Sequence, residues 1–573
     1  MREVVVCTRQ ELREKGQLVV TVSDRPVLVV EHEGQVRAVD NRCPHMGFPL
    51  HRGTLHDGIL TCHWHHARFE LSGGCALDLF ADDVPTYDVT INDGNVAVSE
   101  APRRRDERAH ALDKLDEGLE HQVSLVLAKA AITLDERGAH DAALDRAARF
   151  GVGNREQGWS TGLSVLTCLA NLRPHLDPAA RPRALFHGLL DVAARTAGNA
   201  PSFEISPLRD VDDRPERLLG WFRRLVETRS RDAAERVLAT AIGRGLPPHD
   251  IATMIFAACN DHRYLDEGHI LDFATKAFEL LDHLGWDAAD AILSSLVAPL
   301  ARATRMEETS TWRTPVDVAA TVAAATPDFL TALAAAKPPP PRGWYGHAEV
   351  AATALDAEPD ETVEVLVKHA AEGVPAQDLS AAIAYAAALR AAHFPTSNQH
   401  GDWDTVHHTF TFANAVDQAV RRFPSPLVAR GILDAAGSVY LERFLNVPKR
   451  PLPDGNHDPA TTQDLLATFD VHGRVDDAGQ IVAALVAQGQ AQAVVRTLGS
   501  GLLREDATFH EYQILEAAVR QWSQFAGRPE GGHVLVGAAR FLAARYPTVR
   551  SRGQTFDIAQ RLHRGEVLHD LDE

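Results

Sequence analysis

Cysteine, positive charge and long apolar runs are all scarce in this chain. Six cysteines in 573 residues, at positions 7, 43, 62, 75, 168 and 259, are too few and too scattered for the disulfide framework of a small secreted fold. Lys and Arg total 58 against 78 Asp and Glu, a formal net charge of −20. That balance excludes a nucleic-acid binder built on clustered cations and suits neutral or cationic partners. The start, Met1-Arg-Glu-Val-Val-Val-Cys7, offers only three valines before polar residues resume, short of the apolar core of a secretory signal. No stretch reaches the 18 or so apolar residues of a spanning helix. The expectation is a cytoplasmic protein with reduced thiols and no membrane or nucleic-acid partner. At 45% hydrophobic, the chain is long enough for several cores.

Against this background two short clusters stand out. Cys43-Pro-His45 is followed after sixteen residues by Cys62-His-Trp-His65. Two thiolates and two imidazoles can hold a [2Fe-2S] cluster asymmetrically, with the thiolates on one iron and the imidazoles on the other. The same four groups can hold one zinc ion, although Cys43-x-His45 is tighter than the usual zinc spacing.

The segments Asn41-Arg-Cys-Pro-His-Met-Gly-Phe-Pro-Leu50 and Cys62-His-Trp-His-His-Ala-Arg-Phe-Glu-Leu71 resemble the two cluster-binding loops of Rieske ferredoxins and Rieske oxygenases, and the resemblance covers residues 1–100. It implies that Cys43, His45, Cys62 and His65 bind a [2Fe-2S] cluster, that the chain carries electrons, and that a reductase supplies them. His63 and His66 are then exposed neighbours rather than ligands. High-potential Rieske proteins carry an extra Cys on each loop, and the matching positions are Phe48 and Trp64, so the disulfide brace is absent. A potential toward the lower end of the Rieske span of about −150 to +300 mV is the expectation.

Two periodicities divide the chain. Residues 1–100 alternate as short strands, for example Gln17–Val22, Val27–Val30 and Asn95–Ser99, between Gly-, Asp- and Pro-containing turns, which predicts a small all-β domain. The charged stretch 101–110 reads as a linker. Residues 111–573 are rich in Ala, Leu and Val at helical spacing, as in His121–Ile132 and Ala233–Ile242, which predicts a large all-α domain. Pro-rich interruptions fall at Lys337–Arg342 and Val447–Gly455, where a helix cannot continue.

Within the helical region Glu235–Ile251 parallels Glu364–Leu379. Each leads toward another helix beginning with His, at Gly268-His269 and His407-His408, with weaker counterparts at Phe186-His187 and Gly532-His533. The pattern predicts an array of divergent helical repeats around a shared cavity. Of the 28 histidines, 21 lie beyond residue 100. If the array closes, His187, His262, His269, His393, His408 and His533 line one pocket. The sharpest local set is His262, Asp266 and His269, at i, i+4 and i+7 on one helical face. Two His and one carboxylate form a facial set for a second, non-haem iron; Gly268 threatens the helix that this needs. Structural roles at helix ends, or a metal-free cavity for a phenolic or quinone-like substrate with Arg263, Tyr264 and Asp266 as polar contacts, are the competing readings.

The segments Phe186-His-Gly-Leu-Leu190 and His408–Ala415 also resemble the helical questin-oxidase-like proteins, a likeness that implies oxidative ring opening of aromatic polyketides but transfers no residue. The sheet-containing catalytic domain of ring-hydroxylating Rieske oxygenases is not legible here. The leading expectation is an oxidoreductase whose Rieske domain passes electrons to oxygenase-like chemistry on a small organic substrate, with His262, Asp266 and His269 as catalytic residues. The alternatives are a ferredoxin fused to a helical docking scaffold and a redox sensor.

Overall fold

In the computed structural model, which describes residues 2–103, 106–335, 344–399, 401–455, 460–566 and 568, the change of periodicity near residue 100 is a change of architecture. Ten strands come first: β1 Glu3–Thr8, β2 Gln17–Val22, β3 Arg25–His32, β4 Gln35–Asp40, β5 Thr54–His56, β6 Ile59–Thr61, β7 Arg68–Glu70, β8 Thr86–Tyr87, β9 Val89–Asn92 and β10 Asn95–Ser99. They form three antiparallel sheets, ordered β1-β10-β9, β2-β3-β4-β8 and β5-β6-β7. One short helix, α1 Arg9–Lys15, follows β1.

Four hairpins turn through Ser23-Asp24, Glu33-Gly34, Asp57-Gly58 and Asp93-Gly94, with both central residues left-handed in each. This backbone matches strand twist and fixes the pairing register. Strand β3 shows what period 2 does when both faces are covered. Val27 and Val29 enter a core with Leu12, Val22, Val36 and Val98. Leu28 and Val30 enter another with Val39, Leu60 and Phe69, which also contains Cys43 and Cys62. The sulfurs of both predicted ligand cysteines are therefore anchored by the fold's second core.

The first compact unit extends beyond the β fold. Met1–Ala147 group with Ser551–Glu573, and Ala148–Arg550 form the other unit. The helical hairpin α2 Glu107–His121 and α3 Ser124–Glu136, together with the helix Ser551–His563 packed on α3, thus belongs with the strands. The stretch 101–110, expected as a linker, already contains a helix start: the Asp106 carboxylate accepts from the Arg108 and Ala109 N–H groups and caps α2.

Unit 2 is helical among its described residues. The elements that matter below are α4 Arg231–Gly243, α5 Pro248–Cys259, α6 His269–Leu284, α7 Pro359–Ala371, α8 Ala376–Ala392, α9 Asp402–Arg422 and α10 Phe509–Gln524. The paired sequence stretches fold alike locally: α4–α5 and α7–α8 are helix pairs turned by left-handed Gly245 and Gly373, each followed within three residues by Pro. Helix α9 packs on both α6 and α10. The segment Val447–Gly455 contains no helix, as its prolines require, and Lys337–Arg342 lies outside the described residues. Among the described residues no helix is long and apolar enough to cross a membrane.

Candidate metal centres

Two loops of matching backbone carry the Cys–His pairs. The Cys43 N–H donates to the Phe48 carbonyl and the Cys62 N–H to the Ala67 carbonyl, each at 2.8 Å, closing two loops of equal length. The fifth residue of each, Gly47 or His66, is left-handed, with φ of 81° and 62°. The folded loops bring His45 and His65 into edge contact, ring centroids 4.8 Å apart. Phe48 and Trp64 face each other at 6.2 Å, so aromatic packing stands where braced Rieske proteins have a disulfide. All six cysteines are free.

The electrostatics of these loops suit a cluster. The two thiols share a hydrogen bond, which raises Cys43, with burial adding to the effect, and lowers Cys62 to about 6. Backbone N–H groups point at both sulfurs, from His45 and Met46 to Cys43 and from Trp64 and His65 to Cys62, and such donors stabilise thiolates. Burial, then the nearby His65 and Lys129, lowers His45 to about 4, which keeps it neutral as a ligand must be. Its Nδ1 is buried without a hydrogen-bond partner. An unpaired buried nitrogen beside two sulfurs that share a proton is the state expected of a donor set made for metal. His63 and His66 are exposed, and His63 Nε2 lies 3.3 Å from Thr54 Oγ1. The residues fit a [2Fe-2S] cluster bound by Cys43, His45, Cys62 and His65.

Unit 2 does not form the expected His262–Asp266–His269 face. The helix required for it is interrupted: Tyr264, Asp266, Glu267 and Gly268 all have positive φ. His262 instead lies between Glu307 and Glu227, with 2.6 Å from Nδ1 and from Nε2 respectively. Its pKa is raised, because hydrogen bonds to both carboxylates outweigh the lowering effect of burial. Asp266 accepts from the Thr304 N–H at 2.7 Å, and Arg263 pairs with buried Asp434 at 2.7 Å. Neither His262 nor Asp266 joins His269.

His269 has different company. It begins α6, His408 lies on α9 and His510 is the second residue of α10, and the mutual packing of these helices brings one ring nitrogen of each within 4.8 Å of the others. The Nε2 atoms of His408 and His510 are 3.2 Å apart, the separation of two imidazole nitrogens that each stand about 2.0–2.1 Å from one ion. Their outward nitrogens are held by carboxylates, His408 Nδ1 by Glu267 at 2.9 Å and His510 Nδ1 by Asp404 at 2.8 Å. Carboxylates behind the ligand imidazoles are the usual support of a histidine metal site. Burial, followed by the two neighbouring histidines, lowers His269 to about 3, leaving its lone pair available.

Among the other histidines expected in one pocket, only His408 joins His269. His187 bonds Tyr512, His393 the Arg450 carbonyl and His533 Tyr385. His510 was missed, although Thr508 and Glu511 around it form a capping box that marks another helix starting near a His.

A cavity of about 420 Å³ opens beside this site, lined by Glu267, His408, Tyr264, Trp312, Tyr440 and Glu442 among others. Burial raises Glu442 to about 7. The residues therefore place aromatic walls and a carboxyl able to exchange a proton near neutrality next to three convergent imidazoles.

Comparison with known proteins bears on the first centre. The Rieske [2Fe-2S] domain model matches residues 2–88. The 3-phenylpropionate/cinnamic acid dioxygenase ferredoxin subunit of Photorhabdus laumondii is 35% identical over 101 residues, 17% of this chain and 95% of that protein. The ferredoxin component of the naphthalene 1,2-dioxygenase system of Pseudomonas aeruginosa is 32% identical over 89 residues, 15% of this chain and 86% of that protein. Among solved structures, the ferredoxin of carbazole 1,9a-dioxygenase from Nocardioides aromaticivorans IC177 is 26% identical, with 17% of this chain and 98% of that one covered and a TM-score of 0.17. Through its N-terminal domain, this chain belongs to the Rieske [2Fe-2S] family.

Proposed function

We propose that the chain is an oxidoreductase in which the Rieske domain supplies electrons for oxygenase-like chemistry on a small organic substrate at His269, His408 and His510. When bound, the [2Fe-2S] cluster supplies single electrons. The observation that carries the reading is the convergence of three histidine nitrogens within 4.8 Å with carboxylates on two of the outward nitrogens. A set of three protein ligands leaves positions open, as catalytic rather than structural metal sites do. We assign this site to a second non-haem iron. Its residues replace the His262, Asp266 and His269 set.

The chain's own residues account for the remaining roles. Glu267 and Asp404 fix the orientation of His408 and His510. Tyr264 and Trp312 present aromatic surface to the cavity, suited to stacking on a flat phenolic or quinone-like substrate. Glu442 is placed to take or return a proton from such a group near neutral pH. The ferredoxin relatives belong to dioxygenase systems by name, which supports a reductase as electron donor. The free cysteines support a reducing compartment, and we propose the cytoplasm.

The test is iron and acid-labile sulfide per chain on anaerobically purified protein, in three forms. Wild type should carry more iron than sulfide. Cys43→Ala should lose all sulfide and keep the extra iron, and His510→Ala should keep equal iron and sulfide. Equal iron and sulfide in wild type, with none left in Cys43→Ala, would instead favour a ferredoxin on a docking scaffold.

A further inference from the structure

The helical hairpin of unit 1 brings a cation to the cluster loops that the β fold itself does not provide. Lys129 lies at the middle of α3, and its Nζ donates to the Pro44 carbonyl, the peptide between ligands Cys43 and His45. The hydrogen bond goes to a carbonyl rather than a carboxylate, so the positive charge is not cancelled at contact. The two formal charges nearest in the chain behave differently: Arg42 pairs with Asp40 at 2.7 Å. The acidic groups acting on Lys129 from the β fold are Asp82 and Cys43 itself, and Asp82 Oδ1 accepts from His110 Nε2 of α2 at 2.8 Å. Lys129 and Asp82 line the same 180 Å³ recess as Cys43 and Pro44.

A cluster that takes up one electron becomes more negative by one charge, with no bond made or broken. A fixed cation a peptide away stabilises the reduced form and raises the potential, in the partly water-excluded setting where such interactions are strong. A fixed anion does the opposite.

We infer that Lys129 is a positioning residue for electron transfer, raising the reduction potential of the Rieske centre through its contact with the Pro44 peptide, and that Asp82 opposes it. The helical hairpin thereby tunes a cluster that the β domain binds. This rests on the [2Fe-2S] assignment alone and not on the second metal.

The test is a mediated anaerobic titration of the full chain with dithionite, read by the visible absorption and EPR signal of the centre, on protein shown to hold two sulfides. At fixed potential, Lys129→Met should lower the reduced-to-oxidised ratio about tenfold, a downward shift of about 59 mV for one electron. Lys129→Arg should stay within threefold of wild type. Asp82→Asn should shift upward. An unchanged Lys129→Met midpoint overturns the inference, and so does a shift of both charge-removing variants in one direction, which would signal loosened packing. If Lys129→Met fails to hold the cluster, Asp82→Asn decides: an upward shift sustains the inference and any other result overturns it.

Discussion

At the scale of single residues, the proposed three-histidine site depends on the carboxylates behind its imidazoles, and that dependence is measurable. The outward nitrogen of His510 rests on Asp404, whose carboxyl is held at about 2, burial being outweighed by His510 and Arg545. Asp404→Asn keeps the shape and removes the charge, so the metal in the three-histidine site should bind about 10–100-fold more weakly, with sulfide content unchanged; chelator competition measures this. Away from both centres, Glu235 is buried, and burial raises it from 4.5 to about 6, against the pull of Arg231. A raised carboxyl favours the folded state while protonated, so its contribution is intact below the unfolded value of 4.5 and is lost as pH rises through about 6. Glu235→Gln should therefore leave urea stability unchanged near pH 4 and raise it by about 1 kcal/mol at pH 7.5, allowing for partial solvent screening. The Rieske domain was legible in the sequence because each Cys–His pair sits within one short loop. His510 was not, because what makes it a partner of His269 is the packing of α6, α9 and α10, which no local spacing records.

At the scale of elements, strands and helices followed their periods, and the errors fell where a backbone departs from both. The face expected from His262, Asp266 and His269 assumed a continuous helix, whereas Tyr264, Asp266, Glu267 and Gly268 are left-handed. The interruption is useful to the site: it ends one element and starts α6 at His269 while directing Glu267 to His408. Strained backbone of this kind costs stability and persists where surrounding contacts enforce it. Gly268 has φ of 90°, and a Cβ there would stand 2.7 Å from Phe412 Cβ and 2.8 Å from the Tyr264 ring. Gly268→Ala should destabilise the protein by roughly 1–3 kcal/mol and weaken metal binding to the three histidines, since either relief of the clash moves Tyr264 or α9. Retained affinity with reduced thermal stability would separate the segment's folding role from its site role. The limits of the β domain were readable from its turns. The membership of α2, α3 and the helix Ser551–His563 in the same unit was not, because it joins residues more than 400 positions apart.

At the scale of the whole molecule, one covalent chain carries a Rieske domain and a three-histidine site, and this arrangement makes a kinetic claim. Tethering replaces a second-order encounter between donor and acceptor with a first-order step at an effective concentration that dilution does not alter. A separate ferredoxin with this chain's charge of −20 would lose speed on dilution and respond to salt through its partner's charge. For the fused chain, reduced anaerobically and then mixed with oxygen and substrate, the return of the oxidised visible spectrum should be single-exponential, with a rate constant unchanged over a tenfold dilution. His510→Ala should slow it, because the acceptor is lost while the Rieske loops are untouched. Adding an equal amount of Cys43→Ala chain, which has the acceptor but no cluster, should not restore the rate. A rate that scales with protein concentration, or rescue by the added chain, would mean that electrons pass between molecules, and the fused domains would then act as a carrier and a client rather than as one enzyme.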